Sequence, residues 1–374
     1  MNFSNRIERM FLLTRLMLKV VFCGAANEIP KNVSSIIIVP TGKLGDVVCA
    51  TPVLHAIRTH LPNVRITVAG NTKLHRALLS DSGLVDDYID LKEKGAISRL
   101  KKLRADVALV TGPSFTPVAL LYLSGIPLVV APEVVGGISS SETRPYKILQ
   151  RFIKTFPYRM GEYAPRERLK CLEPLGIMSD DTKKHLRFSE EADNKVQELL
   201  SQYKDKVLVG ISPSAGNKIK EWPVDRFSAV ADYIASKYNA VVVIIGGPND
   251  TTYSEEIKSS LSKDIQYVDT TGVLSIDELK AAISKLNLFI SVDTGPIYIA
   301  EAFGVPTIDI VGPMDEKEQP PIGRLHRVVV PKRKRPELHI LNARMYDKKE
   351  AMRQTLSISA QDVIVEIDKL MEDI

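Results

Sequence analysis

The sequence predicts an α/β protein built from two doubly wound, Rossmann-like halves in tandem. Three observations predict it. The chain of 374 residues is about two domains long by the usual length prior. Short β-rich runs, apolar almost without interruption, alternate with segments of helical spacing. After an irregular middle, the same alternation starts afresh.

In the first half the strand candidates are SSIIIVP (34–40), VRITVAG (64–70), DDYIDL (86–91), DVALVTG (106–112) and PLVVAPE (127–133). They are separated by segments such as DVVCATPVLHAIRTHL (46–61), whose apolar residues recur at helical spacing. Strands buried on both faces read as continuous apolar runs, which is the mark of a parallel sheet covered by helices on each side. The second half repeats the pattern with KVLVGISP (206–213), NAVVVIIGGP (239–248), IQYVDTTG (265–272), LFISVD (288–293) and PTIDIVGP (306–313). Its helices are expected over VDRFSAVADYIASKY (224–238) and SIDELKAAISKL (275–286), the latter opened by a capping box of Ser275 and Glu278. Open α/β sheets bind ligands beyond the carboxyl ends of their strands, so two such domains are expected to face a shared cleft.

The expected divisions are an N-terminal apolar and basic helix (1–33), a first Rossmann-like domain (34–185), a second (186–345) and a closing helix (346–374). Between the sheets, GGISSS (136–141) marks a loop, and PYKILQRFIKTF (145–156) reads as one amphipathic helix. That helix would place Ile148, Leu149, Phe152, Ile153 and Phe156 on one face and Lys147, Arg151 and Lys154 on another. Two readings of it stay open: a helix lying on its own domain, or a basic surface for an anionic or membrane-bound acceptor. SISAQDVIVEIDKLMEDI (357–374) reads as the closing amphipathic helix.

The apolar stretch MFLLTRLMLKVVFCGAA (10–26) is interrupted by Arg15 and Lys19, and its uninterrupted runs fall short of the roughly 18 to 20 residues a membrane span requires. A signal peptide carries its charges before the apolar core rather than inside it. The stretch therefore reads as a helix on the domain or as an interfacial helix whose Arg6, Arg9, Arg15 and Lys19 meet anionic headgroups. A net charge of +5 over this length does not by itself point to nucleic acid. Cys23, Cys49 and Cys171 show neither CxxC spacing nor an even number, so neither a disulfide framework nor a zinc site is expected, and the compartment reads as reducing.

Gly42-Lys43 invites comparison with a phosphate loop. A Walker loop needs a glycine five residues before its GK, where this chain has Ile37, and a Ser or Thr after the lysine, where it has Leu44. GxGxxG is absent as well, and no HExxH, GxSxG or D-x-D is found. What remains are three patches, each at the carboxyl end of an expected strand: GKLGDVVCATP (42–52), SPSAGNKIKEWP (212–223) and SVDTGPIYIAEAFGVPT (291–307). Singly, each is also ordinary turn and cap chemistry, with glycines for tight turns and Asp or Thr as N-caps.

Together and in this order they resemble glycosyltransferase family 9, the heptosyltransferase-like enzymes of bacterial lipopolysaccharide synthesis. The resemblance rests on Gly45-Asp46 with Pro52, on Lys220-Glu221-Trp222-Pro223, and on Val292-Asp293-Thr294-Gly295 followed by Gly304-Val305-Pro306-Thr307. It implies the GT-B architecture, with the acceptor on the N-terminal domain and the nucleotide sugar on the C-terminal one. The expected activity is an inverting, metal-independent transfer of heptose or a related sugar, with ADP-heptose the first donor to test, to a lipopolysaccharide core or similar surface glycan.

The chemistry of the residues fits. Attack by an acceptor hydroxyl needs a base, and Asp46 is the candidate, with Gly42, Lys43 and Gly45 shaping the loop that presents it. The departing nucleoside diphosphate needs cations and a helix N-terminus. Lys220, with Lys218 second, is expected to supply the first, and the backbone at Thr294, Gly295 and Pro296 the second. Asp293 is expected to hold sugar hydroxyls or orient the turn, and Ser212 and Ser214 to contact phosphate. Tyr298 stands where family members commonly have a histidine; it can donate a hydrogen bond to phosphate but carries no positive charge. No cofactor or metal is expected. The expected partners are the sugar nucleotide, an anionic glycolipid and the cytoplasmic face of the inner membrane, with no nucleic acid. KRKR (332–335) reads as a solvated loop near the cleft. The competing readings are a sugar-nucleotide binding module that has lost its chemistry, and a nucleotide-sugar epimerase.

Overall fold

In the computed structural model, which describes residues 12–16, 19, 24–342 and 344–373, the chain divides into two compact units, Met1–Lys183 and Lys184–Ile374. Unit 1 holds strands β1 (Ser35–Val39), β2 (Arg65–Gly70), β3 (Asp87–Asp90), β4 (Val107–Val110), β5 (Leu128–Val135) and β6 (Lys154–Arg159). They form one six-stranded sheet in the order β3-β2-β1-β4-β5-β6, parallel throughout. Unit 2 holds β7 (Val207–Ser212), β8 (Ala240–Ile244), β9 (Tyr267–Asp269), β10 (Leu288–Val292), β11 (Thr307–Ile310) and β12 (His326–Val329). Their order, β12-β11-β10-β7-β8-β9, is the same winding, again all parallel. In each unit the chain moves outward from a central strand and then returns to its other side, so the direction of winding reverses between β1 and β4, and between β7 and β10.

The central strands are apolar because helices cover both of their faces. Ile36, Ile37 and Ile38 of β1 and Phe289 and Ile290 of β10 are fully buried. The capping box is present: Ser275 Oγ accepts from Glu278 N–H at 3.2 Å, and Glu278 Oε2 accepts from Ser275 N–H at 2.8 Å. The helix Val224–Tyr238 has the expected bounds, and Val363, Ile367 and Leu370 of the closing helix Ala360–Asp373 face the unit 2 core.

Three expectations need correction. The segment 46–61 is two helices, Leu44–Val48 and Thr51–His60. Pro52 cannot donate to the Val48 carbonyl four residues back, and Thr51 Oγ1 donates to that carbonyl instead, at 2.6 Å. The segment 145–156 is not one helix. It turns helical only over Arg144–Leu149, tightens over Gln150–Phe152 and then enters β6. Pro157 disfavours helical backbone at Phe156 before it, and is tolerated in β6 because that strand lies at the sheet's edge. Ile148, assigned to the apolar face, is 53% exposed, while Phe156 and Tyr158 point inward with a strand's period of two. KRKR is not simply solvated. Arg333 turns inward and donates to the carbonyls of Gly312 (2.8 Å) and Met314 (2.5 Å) and to Glu316.

The bulk of the N-terminal stretch, with Arg6 and Arg9, lies outside the described residues. Within them, Leu12, Leu13 and Leu16 pack on the unit 1 core, and Lys19 Nζ donates to the Tyr122 carbonyl at 2.6 Å. Among the described residues no helix is long and apolar enough to cross a membrane.

Candidate active site

The sequence-predicted residues gather at the carboxyl ends of the strands flanking the two reversals, where doubly wound sheets leave a crevice. In unit 1, β1 runs out into Thr41, which is tied to β4 because its N–H donates to Thr111 Oγ1 at 3.1 Å. Gly42 follows with φ +111°, and a Cβ there would lie 2.2 Å from Asp46 Oδ2. Only glycine both adopts this backbone and admits the carboxylate. Asp46 is not in the turn itself but in the first turn of the helix Leu44–Val48, with Gly45 beside it. Its Oδ2 accepts from Lys43 N–H at 3.0 Å.

The other carboxylate oxygen meets a residue that sequence reasoning missed. Arg168 Nη2 donates to Asp46 Oδ1 at 2.8 Å. The arginine side chain is 3% exposed and that of Asp46 25%. Burial opposes the guanidinium's charge, yet its neighbours, Tyr158 and Asp46 foremost, hold it above the ordinary arginine range. No local pattern could have linked residues 122 positions apart.

In unit 2 the register pairs Ser212 of β7 with Ser291 of β10, which brings the second and third patches side by side. Ser212 and Ser214 are buried. The single turn Lys218–Lys220 is capped by Asn217, and Trp222, which follows it, is fully buried edge-on against Phe227 with ring centroids 5.0 Å apart. Lys220 Nζ donates to Asp293 Oδ2 at 3.1 Å and also to the Asp293 carbonyl. Tyr298 OH donates to Asp293 Oδ1. Thr294 then caps the helix Gly295–Ala302, with Pro296 in its first turn. Lys220, Asp293 and Tyr298 are thus one hydrogen-bonded group at the mouth of a helix N-terminus, whereas Lys218 points to solvent. Behind them lies Asp309 of β11, buried and missed in the sequence reading although it interrupts an apolar strand. Burial, with Asp293 nearby, raises its carboxyl well above the usual range.

Lys147, Arg151 and Lys154 are exposed but belong to three successive elements rather than one helical face.

Asp315, Glu318 and His339 have ligand atoms within 4.8 Å of one another and could hold a metal. As they stand they form an ion cluster. His339 Nδ1 lies 3.4 Å from both carboxylates, and the closeness of Asp315 and Glu318 pushes its pKa up to about 9. A folded-state value above the unfolded one stabilises most at low pH. The melting temperature is therefore expected to decline as pH rises from about 6.5 through 9, and this component is expected to vanish in His339→Gln, as a thermal melt series across that range will show.

The architecture is that of the GT-B glycosyltransferases. The crystal structure of the glycosyl transferase family 9 from Veillonella parvula DSM 2008 superimposes with a TM-score of 0.75 at 21% identity, covering 93% of this chain and all of that one. The structure of E. coli ADP-heptose lps heptosyltransferase II gives 0.71 at 17% identity, over 90% and 98% of the two chains. The family model of glycosyltransferase family 9 (heptosyltransferase) matches residues 165–345. Lipopolysaccharide heptosyltransferase 3 of Escherichia coli K12 is 26% identical over 288 residues, 72% of this chain and 80% of that protein. The chain is thus similar to glycosyltransferase family 9 (heptosyltransferase) over residues 165–345, and it is a glycosyltransferase.

Proposed function

We propose that the protein is an inverting, metal-independent heptosyltransferase that moves heptose from ADP-heptose to a lipopolysaccharide core, working at the cytoplasmic face of the inner membrane. The observation that carries this reading is the pairing of Lys220 with Asp293 at the mouth of the helix Gly295–Ala302, on the β7/β10 reversal. A lysine and a helix N-terminus at one edge are suited to a diphosphate whose charge grows as the sugar leaves. The names of the relatives, an E. coli lipopolysaccharide heptosyltransferase and an ADP-heptose lps heptosyltransferase, support the sugar and the nucleotide.

In this mechanism unit 2 holds the donor and unit 1 the acceptor. The acceptor hydroxyl oxygen attacks the anomeric carbon, the bond from that carbon to the diphosphate oxygen breaks, and ADP departs with the electron pair. The hydroxyl proton passes to Asp46, whose carboxylate is held in place yet reaches solvent. Lys220 and the N–H groups following Thr294 take up the leaving charge. Asp293, fixed by Lys220 and Tyr298, aligns that turn and accepts from sugar hydroxyls. Ser212 and Ser214 line the phosphate side. Tyr298 thus serves through Asp293, with its hydroxyl already engaged there, and Lys147, Arg151 and Lys154 offer an exposed basic surface to an anionic glycolipid.

A thermal-shift series over nucleoside diphosphates tests the donor side, since a ligand selective for the folded state raises stability by mass action, about 2.7 kcal/mol at a hundredfold excess over Kd. ADP is expected to raise the melting temperature more than GDP, UDP or CDP. If no nucleotide raises it, the chain is a module without donor chemistry.

A further inference from the structure

We infer that Arg168 is the positioning residue of the candidate base: its buried guanidinium, gripping one oxygen of Asp46 while Lys43 N–H grips the other, fixes the carboxylate in the orientation that receives the acceptor hydroxyl. The inference rests on the proposed role of Asp46 and assigns a function to a second residue, from a different element of the same unit.

Four features separate this arrangement from a surface ion pair. First, the burial is one-sided. Arg168 is 3% exposed and Asp46 25%, so the cation is enclosed in protein while the carboxylate keeps an open side. Second, Asp46 is the only carboxylate that Arg168 bonds among the described residues. Glu167, adjacent and also buried, is committed elsewhere, accepting from Arg159 N–H at 2.7 Å and from Lys170 Nζ at 2.5 Å. Third, the grip is by one nitrogen, with Nη1 buried and unpartnered. A two-pronged fork would occupy both carboxylate oxygens from one direction. Here each oxygen has a single protein donor, from different elements, and retains a lone pair. Fourth, the carboxylate occupies the space that a Cβ at residue 42 would fill, so the loop admits Asp46 in this orientation only because Gly42 has no side chain. Two hydrogen bonds, one to each oxygen, hold it in that orientation.

The test is a double-mutant cycle of Arg168→Met and Asp46→Asn, measured as kcat and donor KM with ADP-heptose and a heptose-deficient lipopolysaccharide core. Arg168→Met leaves behind a carboxylate that already reaches water, so the fold is expected to tolerate it. Its kcat is expected to drop about 10- to 100-fold, by analogy with the loss of a hydrogen-bond partner that orients a metal ligand, with donor KM and the ADP-induced thermal shift unchanged. Arg168→Lys, which keeps the charge, is expected to recover part of the loss, and it carries the test should the methionine variant fail to fold. In the Asp46→Asn background Arg168→Met is expected to cost nothing further. If Arg168→Met turns over like the parent, or multiplies the Asp46→Asn loss by its full single-mutant factor, the positioning role is wrong and the base assignment stands. If Asp46→Asn alone keeps normal turnover, it is the base assignment that falls.

Discussion

Asp46→Asn is expected to lower kcat for sugar transfer by about 10²- to 10⁴-fold, the range that a positioned general base contributes, while ADP binding stays within roughly twofold of the parent. The amide keeps the size but only one acceptor oxygen, so with that oxygen turned to Arg168 Nη2 the buried guanidinium keeps a partner while Lys43 N–H loses its own. What it loses is the capacity to take the acceptor's proton. A second consequence follows from the burial of Arg168. Removing one member of a buried ion pair leaves the other charge uncompensated, at a cost of about 3–5 kcal/mol when burial is complete. Asp46→Ala, which offers Arg168 no acceptor at all, is therefore expected to melt lower than Asp46→Asn. Rates compared well below the melting temperature of each variant, with the folded fraction checked by circular dichroism, separate chemistry from stability. Near-parental kcat in a folded Asp46→Asn enzyme means that another group removes the proton.

Lys220→Met is expected to weaken ADP binding by at least about 30-fold, since truncating one partner of a hydrogen-bonded, largely desolvated charge pair costs roughly 2–5 kcal/mol. Two effects act in the same direction. The cation that faces the diphosphate disappears, and Asp293, no longer paired, turns its negative charge on the incoming phosphates. Tyr298 still holds the other oxygen of Asp293, so the carboxylate stays in the site rather than swinging away. Isothermal titration with ADP measures the loss directly. Affinity within a factor of about two of the parent places the diphosphate elsewhere.

The parts of this molecule that were legible in the sequence are those decided by local burial. Strands such as Ile36–Ile38 and Val241–Val243 are sealed on both faces, and that alone writes an apolar run. The Ser275 and Glu278 cap is likewise local, three residues apart. Of the edge strands, β3 and β9 were legible, whereas β6 and β12 were not. β6 alternates inward Phe156 and Tyr158 with outward Pro157, a pattern that began by imitating a helix's spacing, and β12 has only Val329 fully enclosed. The candidate site divides the same way. Gly42, Asp46, Lys220 and Asp293 sit in short motifs next to strand ends, where spacing carries information. Arg168 and Asp309 act through partners that only the sheet's winding brings near. Arg333 was misjudged for the same reason: a run of four basic residues looks solvated until one of them meets the carbonyls of Gly312 and Met314.

The central claim is that this chain joins a heptose to an acceptor, and the measurement that tests it most directly is mass spectrometry of a heptose-deficient lipopolysaccharide core incubated with ADP-heptose and the purified protein. The account predicts one added heptose per acceptor, matched by one ADP released, with Asp46→Asn slow and neither product formed when the acceptor is left out. ADP-heptose consumed or rearranged without any gain in acceptor mass, or left untouched beside a competent acceptor, would contradict it.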